Sequence, residues 1–205
     1  MLAFCLNNYS DIIRLYKSAP DLLFSIESFN KWGFNFLLSS IFLIGYSLES
    51  KVLNNQIKSV DPTLLGWVVT LICYPPFNTA LDSFLLKDTA PTNTLFTMTH
   101  YQFILLVLSS ASYGVYLWAT IALWTKASDL TNRGIISHGP YRYVRHPAYI
   151  CKNIAWWIFS VPYINSIYSI FPLIAWSIIY IMRALTEERH LLSDPEYQKY
   201  VKKVK

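Results

Sequence analysis

The chain has 205 residues, of which 54% are hydrophobic and 14% charged, with a mean hydropathy of +0.32. Soluble domains carry about 25% charged residues, so water is the wrong solvent for most of this chain, and its length suits a single membrane domain over residues 1–205. The formal charge of +5 is accounted for by anionic headgroups, at about 1 kcal/mol per basic residue near a membrane surface, so no nucleic-acid partner is expected.

Cys5, Cys73 and Cys151 form no C-x-x-C pair, and two lie in apolar stretches, which predicts neither a metal site nor a disulfide framework. The chain carries no G-x-G-x-x-G, P-loop, nucleophile elbow or internal repeat.

In chain order, the first thirty residues mix Ile12, Ile13, Tyr16, Leu22, Leu23 and Phe24 with Asp11, Arg14, Lys17 and Asp21, a pattern of interfacial helix. No signal peptide is expected there. Intervals of about 17 to 24 residues nearly free of charge then recur, the length that crosses a bilayer as helix. They run from Trp32 to Leu48, Pro62 to Leu81, Tyr101 to Trp124, Ala148 to Ile164 and Ser166 to Met182. The predicted fold is therefore all-α and polytopic, with about five transmembrane helices. Residues 1–125 hold the interfacial segment and three spans, and 126–205 hold the remainder.

Pro75-Pro76 should kink the second span. The link Pro162 to Ser166 is too short for a crossover, so spans four and five should form an antiparallel helical hairpin with both open ends on one side. Lys126, Arg133, Arg142 and Arg145 precede it, and Arg183, Arg189, Lys199, Lys202, Lys203 and Lys205 follow it. By the positive-inside rule both basic segments are cytoplasmic.

Two stretches are denser in polar and aromatic groups than a connector needs. The first, Gly134-Ile135-Ile136-Ser137-His138-Gly139-Pro140-Tyr141-Arg142-Tyr143-Val144-Arg145-His146-Pro147-Ala148-Tyr149, leads into span four. Gly139-Pro140 breaks regular structure there, and Pro147 suits a first helical turn. The second, Arg183 to Tyr200, leaves span five with Glu187, Glu188 and Glu196. The hairpin would bring the two stretches out side by side at the cytoplasmic surface. Along span four, Tyr149, Lys152, Asn153, Trp156 and Ser160 recur at helical spacing as a polar-aromatic stripe.

Gly139-Pro140-Tyr141-Arg142-Tyr143-Val144-Arg145-His146-Pro147-Ala148-Tyr149, then Arg183-x-x-x-Glu187-Glu188, then Tyr197-x-x-Tyr200, resembles the isoprenylcysteine carboxyl methyltransferase and phospholipid methyltransferase superfamily over roughly residues 130–205. The resemblance implies a cytosolic pocket for S-adenosylmethionine made by Arg133, Gly134, Ile135, Ile136, Tyr141, His146, Pro147, Ala148 and Tyr149, closed by Glu187. It also implies that Arg183 binds the carboxylate of an isoprenylcysteine-like or other lipid-like substrate. Arg183, Arg145 and Glu188 are the catalytic residues expected on this basis. The chain departs from the family pattern at Cys151, where glycine is usual, and in a shorter interval from Glu188 to Tyr197.

Methyl transfer from a sulfonium chiefly requires alignment and exclusion of water. A carboxylate acceptor needs a guanidinium clamp. An amine acceptor arrives protonated and needs a base, for which Glu188 or His146 are candidates. Plainer readings stand beside these. Arg142 and Arg145 suit the positive-inside rule, Tyr143 and Trp157 an interfacial belt, and Arg183 with Glu187 an ordinary i,i+4 pair. A phospholipid or other amine N-methyltransferase, an NADPH-dependent sterol- or isoprenoid-type reductase and a non-enzymatic membrane protein are the alternatives. The expected location is a bacterial inner membrane or the endoplasmic reticulum, crossed several times, with the active site facing the cytoplasm.

Overall fold

A computed structural model describes residues 33–74, 76–85, 100–164 and 166–204. The interfacial segment expected over the first thirty residues lies outside them. The helices are α1 (Phe34–Ser47), α2 (Leu64–Ile72), α3 (Phe77–Leu85), α4 (His100–Leu123), α5 (Pro147–Ser160), α6 (Phe171–Leu191) and α7 (Pro195–Val201). Two short strands, β1 (Ser59–Val60) and β2 (Thr131–Asn132), pair antiparallel with Ser59 opposite Asn132 and Val60 opposite Thr131.

Two helical segments among the described residues are long and apolar enough to cross a membrane: His100–Lys126, which contains α4, and Ile167–Leu191, which contains α6. Only 28% and 22% of their most apolar windows are buried by the protein, so lipid is the natural cover for the rest. On α6 the exposed residues Ile174, Ile178, Ile181 and Leu185 follow helical spacing and form one outward stripe.

The other expected spans are shorter. α1 and α5 have 14 residues each, and α2 and α3 have 9 each, against about 20 for a straight passage. The interval from Pro62 to Leu81 is divided between Ile72 and Phe77, around Tyr74 and Pro76, rather than bent as one helix.

The helices pack through small residues, and buried hydroxyls on α4 are satisfied within the helix, as an apolar surrounding demands. α4 lies along α5, and Ser109, Ala119 and Thr120 on α4 and Ala155 on α5 are fully buried. The Ser109 and Thr120 hydroxyls donate to the carbonyls of Leu106 and Tyr116 at 3.0 Å each. Contacts between α5 and α6 run in opposite senses. Trp157 Nε1 donates to Ser177 Oγ at 3.0 Å, Lys152 Nζ to Tyr180 OH at 2.6 Å and Tyr149 OH to Glu187 Oε2 at 2.7 Å. Fully buried Asn55 joins the exit of α1 to that of α4: its Nδ2 donates to Leu48 O at 2.5 Å and Thr125 O at 3.2 Å, and its Oδ1 accepts from Ser50 N at 2.8 Å.

The β1–β2 ladder places the start of α2 beside the loop after α4, and α6 covers both. Thr63 caps α2, its Oγ1 accepting from Gly66 N at 3.2 Å, and Asp61 Oδ1 in turn accepts from Thr63 N at 2.9 Å. A Cβ on Gly66 would stand 2.0 Å from Asp61 Oδ2. α7 is capped by Asp194, whose Oδ1 accepts from Glu196 N at 2.8 Å, while Asn132 Nδ2 donates to its Oδ2 at 2.8 Å and Lys58 Nζ lies 3.7 Å away. The helix following α6 is thereby tied to β2.

Two predictions follow from these caps. Gly66→Ala gains up to about 1 kcal/mol of helix propensity, but the 2.0 Å approach forces Asp61 off Thr63, and overpacking of this kind costs about 1–3 kcal/mol. The detergent-solubilised variant should therefore melt at a lower temperature than the parent.

Burial opposes ionisation of Asp194, but the Asn132 hydrogen bond, the Glu196 N–H and Lys58 outweigh it and hold its carboxyl below the usual range. The stabilisation is complete above the ordinary aspartate value of about 3.9 and is lost as pH falls through the lower folded value. Asp194→Asn should flatten that part of the acid limb of the melting temperature against pH, and Asp194→Ala should cost about 1 kcal/mol more by removing the cap.

Candidate functional site

The break between α2 and α3, the loop after α4, the turn Gly139–Arg142, the start of α5 and the end of α6 enclose a cavity of about 680 Å³. That is the size of a small-molecule or cofactor site. Its loop wall is fixed by local chemistry. Gly134 has φ +103°, a left-handed value that glycine alone adopts easily, and its N–H donates to Asn132 Oδ1 at 2.8 Å. Gly139, at φ +60°, brings the chain against Ala122 and Trp118, where a Cβ would meet Ala122 Cβ at 3.3 Å. Pro140 is buried beside it, and Tyr200 OH on α7 donates to Tyr141 O at 2.7 Å, pinning the turn.

His146 is the residue before α5, and fully buried Pro147 opens the helix. The rings of His146 and Tyr149 stack with centroids 5.6 Å apart and planes 7° from parallel. Each then reaches a different glutamate of α6. Tyr149 OH holds Glu187 Oε2 at 2.7 Å, while Glu188 Oε1 takes Arg145 Nη1 at 2.9 Å and His146 Nε2 at 3.1 Å.

Arg133, Gly134, Ile135, Ile136, Tyr141, His146, Ala148, Tyr149 and Glu187, the residues expected around the cofactor, all line this one cavity with Arg145 and Arg183. Pro147 and Glu188 do not. Pro147 is packed away as the first helical residue, and Glu188 is turned to the Arg145–His146 pair. Glu188, expected among the catalytic residues, is thus engaged by Arg145 and His146 of the motif.

Arg183, 5% exposed, sits among the rings of Tyr149, Tyr74 and Tyr180 at 5.3, 5.8 and 6.0 Å. Its ion-pair partner belongs to the chain itself: Asp129 Oδ1 pairs with Arg183 Nη2, and Asp129 Oδ2 accepts from the phenols of Tyr46 and Tyr74. The motif reading missed Asp129, Tyr46 and Tyr74. The available signal was charge balance, because a buried arginine calls for a carboxylate and Asp129 is the only acidic residue between Lys126 and Tyr149.

Deeper in the cavity, Lys152 Nζ lies 4.9 Å from the rings of Trp156 and Tyr180 and 5.8 Å from that of Tyr116, an aromatic cage for the charge. Arg133 Nη1 donates to Gly45 O at 2.8 Å, in the last turn of α1.

The wall also carries buried polar atoms without a hydrogen-bond partner among the described residues: Thr131 Oγ1, Arg133 Nε, Arg183 Nε and Tyr197 OH. Burial, and next the Glu187 carboxylate, pushes the Tyr141 phenol up. Burial followed by Glu188 and Glu187 does the same at Tyr197, and burial raises Tyr200 to about 12. These phenols are protonated donors at neutral pH, and none of them is a base there.

A family model for phospholipid methyltransferases matches residues 93–197, a stretch that takes in α4, α5, α6 and every residue expected at the site. No curated protein and no solved structure matches the chain. Two apolar helices and a match over half of its length place it among membrane proteins, and the chain belongs to the phospholipid methyltransferase family.

Proposed function

We propose that this protein transfers a methyl group from S-adenosylmethionine to a lipid-like acceptor at the cytosolic face of a membrane. The family is one of membrane methyltransferases acting on lipids or related substrates. The observation that carries the reading is the meeting of Tyr149–Glu187, His146, Arg183 and four orphaned polar atoms around one cavity.

The residues present fit the cofactor. Arg133 Nε, Arg183 Nε and Tyr197 OH are donors awaiting acceptors, and Glu187 supplies the negative charge that a sulfonium cation favours. Arg133 to Ile136, Tyr141, His146, Ala148, Tyr149 and Glu187 would hold it, and when bound it supplies an activated methyl group.

The remaining work falls to positioning. Tyr149 fixes the Glu187 carboxylate from one side, and the His146–Tyr149 stack holds that phenol in place. Glu188 locks Arg145 and His146 and so keeps the loop against α6. The aromatic faces around Arg183 and Lys152 keep water out and strengthen each charge interaction inside. A neutral or amine acceptor leaves these contacts intact, whereas a carboxylate acceptor must compete with Asp129 for Arg183.

S-adenosylhomocysteine should raise the melting temperature of the detergent-purified protein, the stabilisation being about 2.7 kcal/mol at a hundredfold excess over Kd. Glu187→Ala should abolish the gain. Tyr149→Phe, which keeps the charge and removes one hydrogen bond, should weaken binding by about 1 kcal/mol. A shift produced by NADPH and not by S-adenosylhomocysteine would hand the site to the reductase reading.

Topology gives a second test. In a background without the native cysteines, single cysteines at Ser137 and Ser193 should both react with an impermeant maleimide from the cytosolic side only. Labelling of either from the opposite side removes the cytosolic site.

A further inference from the structure

We propose that Asp129 determines acceptor specificity: it is a built-in carboxylate that fills the anion seat of Arg183, so the cavity turns away acidic acceptors and admits neutral or cationic ones. Calling the excluded ligands acceptors rests on the methyltransferase reading; the occupied seat itself is geometry. The Asp129 side chain is 12% exposed and lines the cavity with Arg183 and Tyr74. Both of its oxygens are engaged, Oδ1 by Arg183 and Oδ2 by the phenols of Tyr46 and Tyr74. An ionised carboxylate only accepts hydrogen bonds, and these three donors meet that need with one guanidinium and two hydroxyls. A second carboxylate arriving at Arg183 would share its cation with Asp129 and repel it at close range, and one of the two anions would lose its partner where water is scarce.

The seat is also held from behind. Leu130 O accepts from Asp61 N at 2.8 Å, Ser128 Oγ donates to Thr131 O, and Ala127 is fully buried. Asp129 is thus anchored on both sides by its own chain. A ligand carboxylate must compete with an intramolecular partner present at high effective concentration. Arg183 itself is held among three rings, and the donor it keeps without a partner, Nε, is the one assigned above to the cofactor.

The test compares oleate with oleyl alcohol, a pair that shares its apolar tail and differs in charge, binding to full-length protein in the same detergent. Wild type should bind oleate no better than the alcohol. Asp129→Asn, which keeps shape and removes charge, should bind oleate at least tenfold more tightly with little change for the alcohol, and adding Arg183→Gln should erase that gain. The Tyr46→Phe, Tyr74→Phe double variant, which loosens Asp129 without removing it, should give a smaller gain in the same direction and covers the case in which Asp129→Asn fails to fold.

The proposal is overturned if wild type already binds oleate tenfold better than the alcohol and loses this with Arg183→Gln. It is equally overturned if folded Asp129→Asn shows no gain. Because the readout needs no methyl transfer, failure of S-adenosylhomocysteine to bind wild type while the oleate gain appears would remove the methyltransferase reading and leave the occupied seat standing.

Discussion

A guanidinium buried near the end of an apolar helix is the constraint around which this site is built. Removing a cation from water costs several kcal/mol unless charge and hydrogen bonds are returned to it. Arg183 recovers them from four segments of the chain: Asp129 after α4, whose carboxylate also takes the phenols of Tyr46 on α1 and Tyr74 in the α2–α3 break, and the ring of Tyr149 on α5. Each of these segments thereby meets the others around that one side chain. The division of the second apolar interval has a clear use in this light, since it is the break after Ile72 that delivers Tyr74.

Beside Arg183, the two adjacent glutamates of α6 divide their labour. Consecutive helical residues point about 100° apart, so one helix offers Glu187 to the cavity and Glu188 to the Arg145–His146 pair behind it. The stacking of His146 on Tyr149 couples the two faces. A small motif thereby acquires both a charged wall and the means of holding that wall still.

Much of this was legible in the residues. Low charge marked the long helices α4 and α6, and the proline and tyrosine pattern from Gly139 to Tyr149 pointed to the start of α5. Tyr149 and Glu187, from the two stretches expected side by side, are joined by a hydrogen bond although they are 38 positions apart. Three things were not legible. Asp129 stands alone as an acid in its loop, but its partner Arg183 lies 54 positions further on, and ion pairing between distant segments leaves no periodicity to link them. The β1–β2 ladder is two residues long on each side, below any alternation a strand signal needs. The start of α2 is set by the Thr63 cap and that of α5 by Pro147, whereas hydropathy reports only how apolar an interval is. The predicted five passages therefore describe where apolar residues lie more closely than where helices begin and stop.

The hydrogen bond from Arg133 to Gly45 carries a mechanical consequence. A helix C-terminus has carbonyls without partners and a partial negative charge, and here a cationic side chain of the cavity loop answers one of them. Asn55 adds a second rivet between the exit of α1 and Thr125, four residues ahead of Asp129. With Tyr46 bound to Asp129 as well, α1 and the cavity loop move as one lever. Any displacement of α1 must pull on the loop that shapes the chamber, so a substitution in the last turn of α1 is felt at the chamber wall.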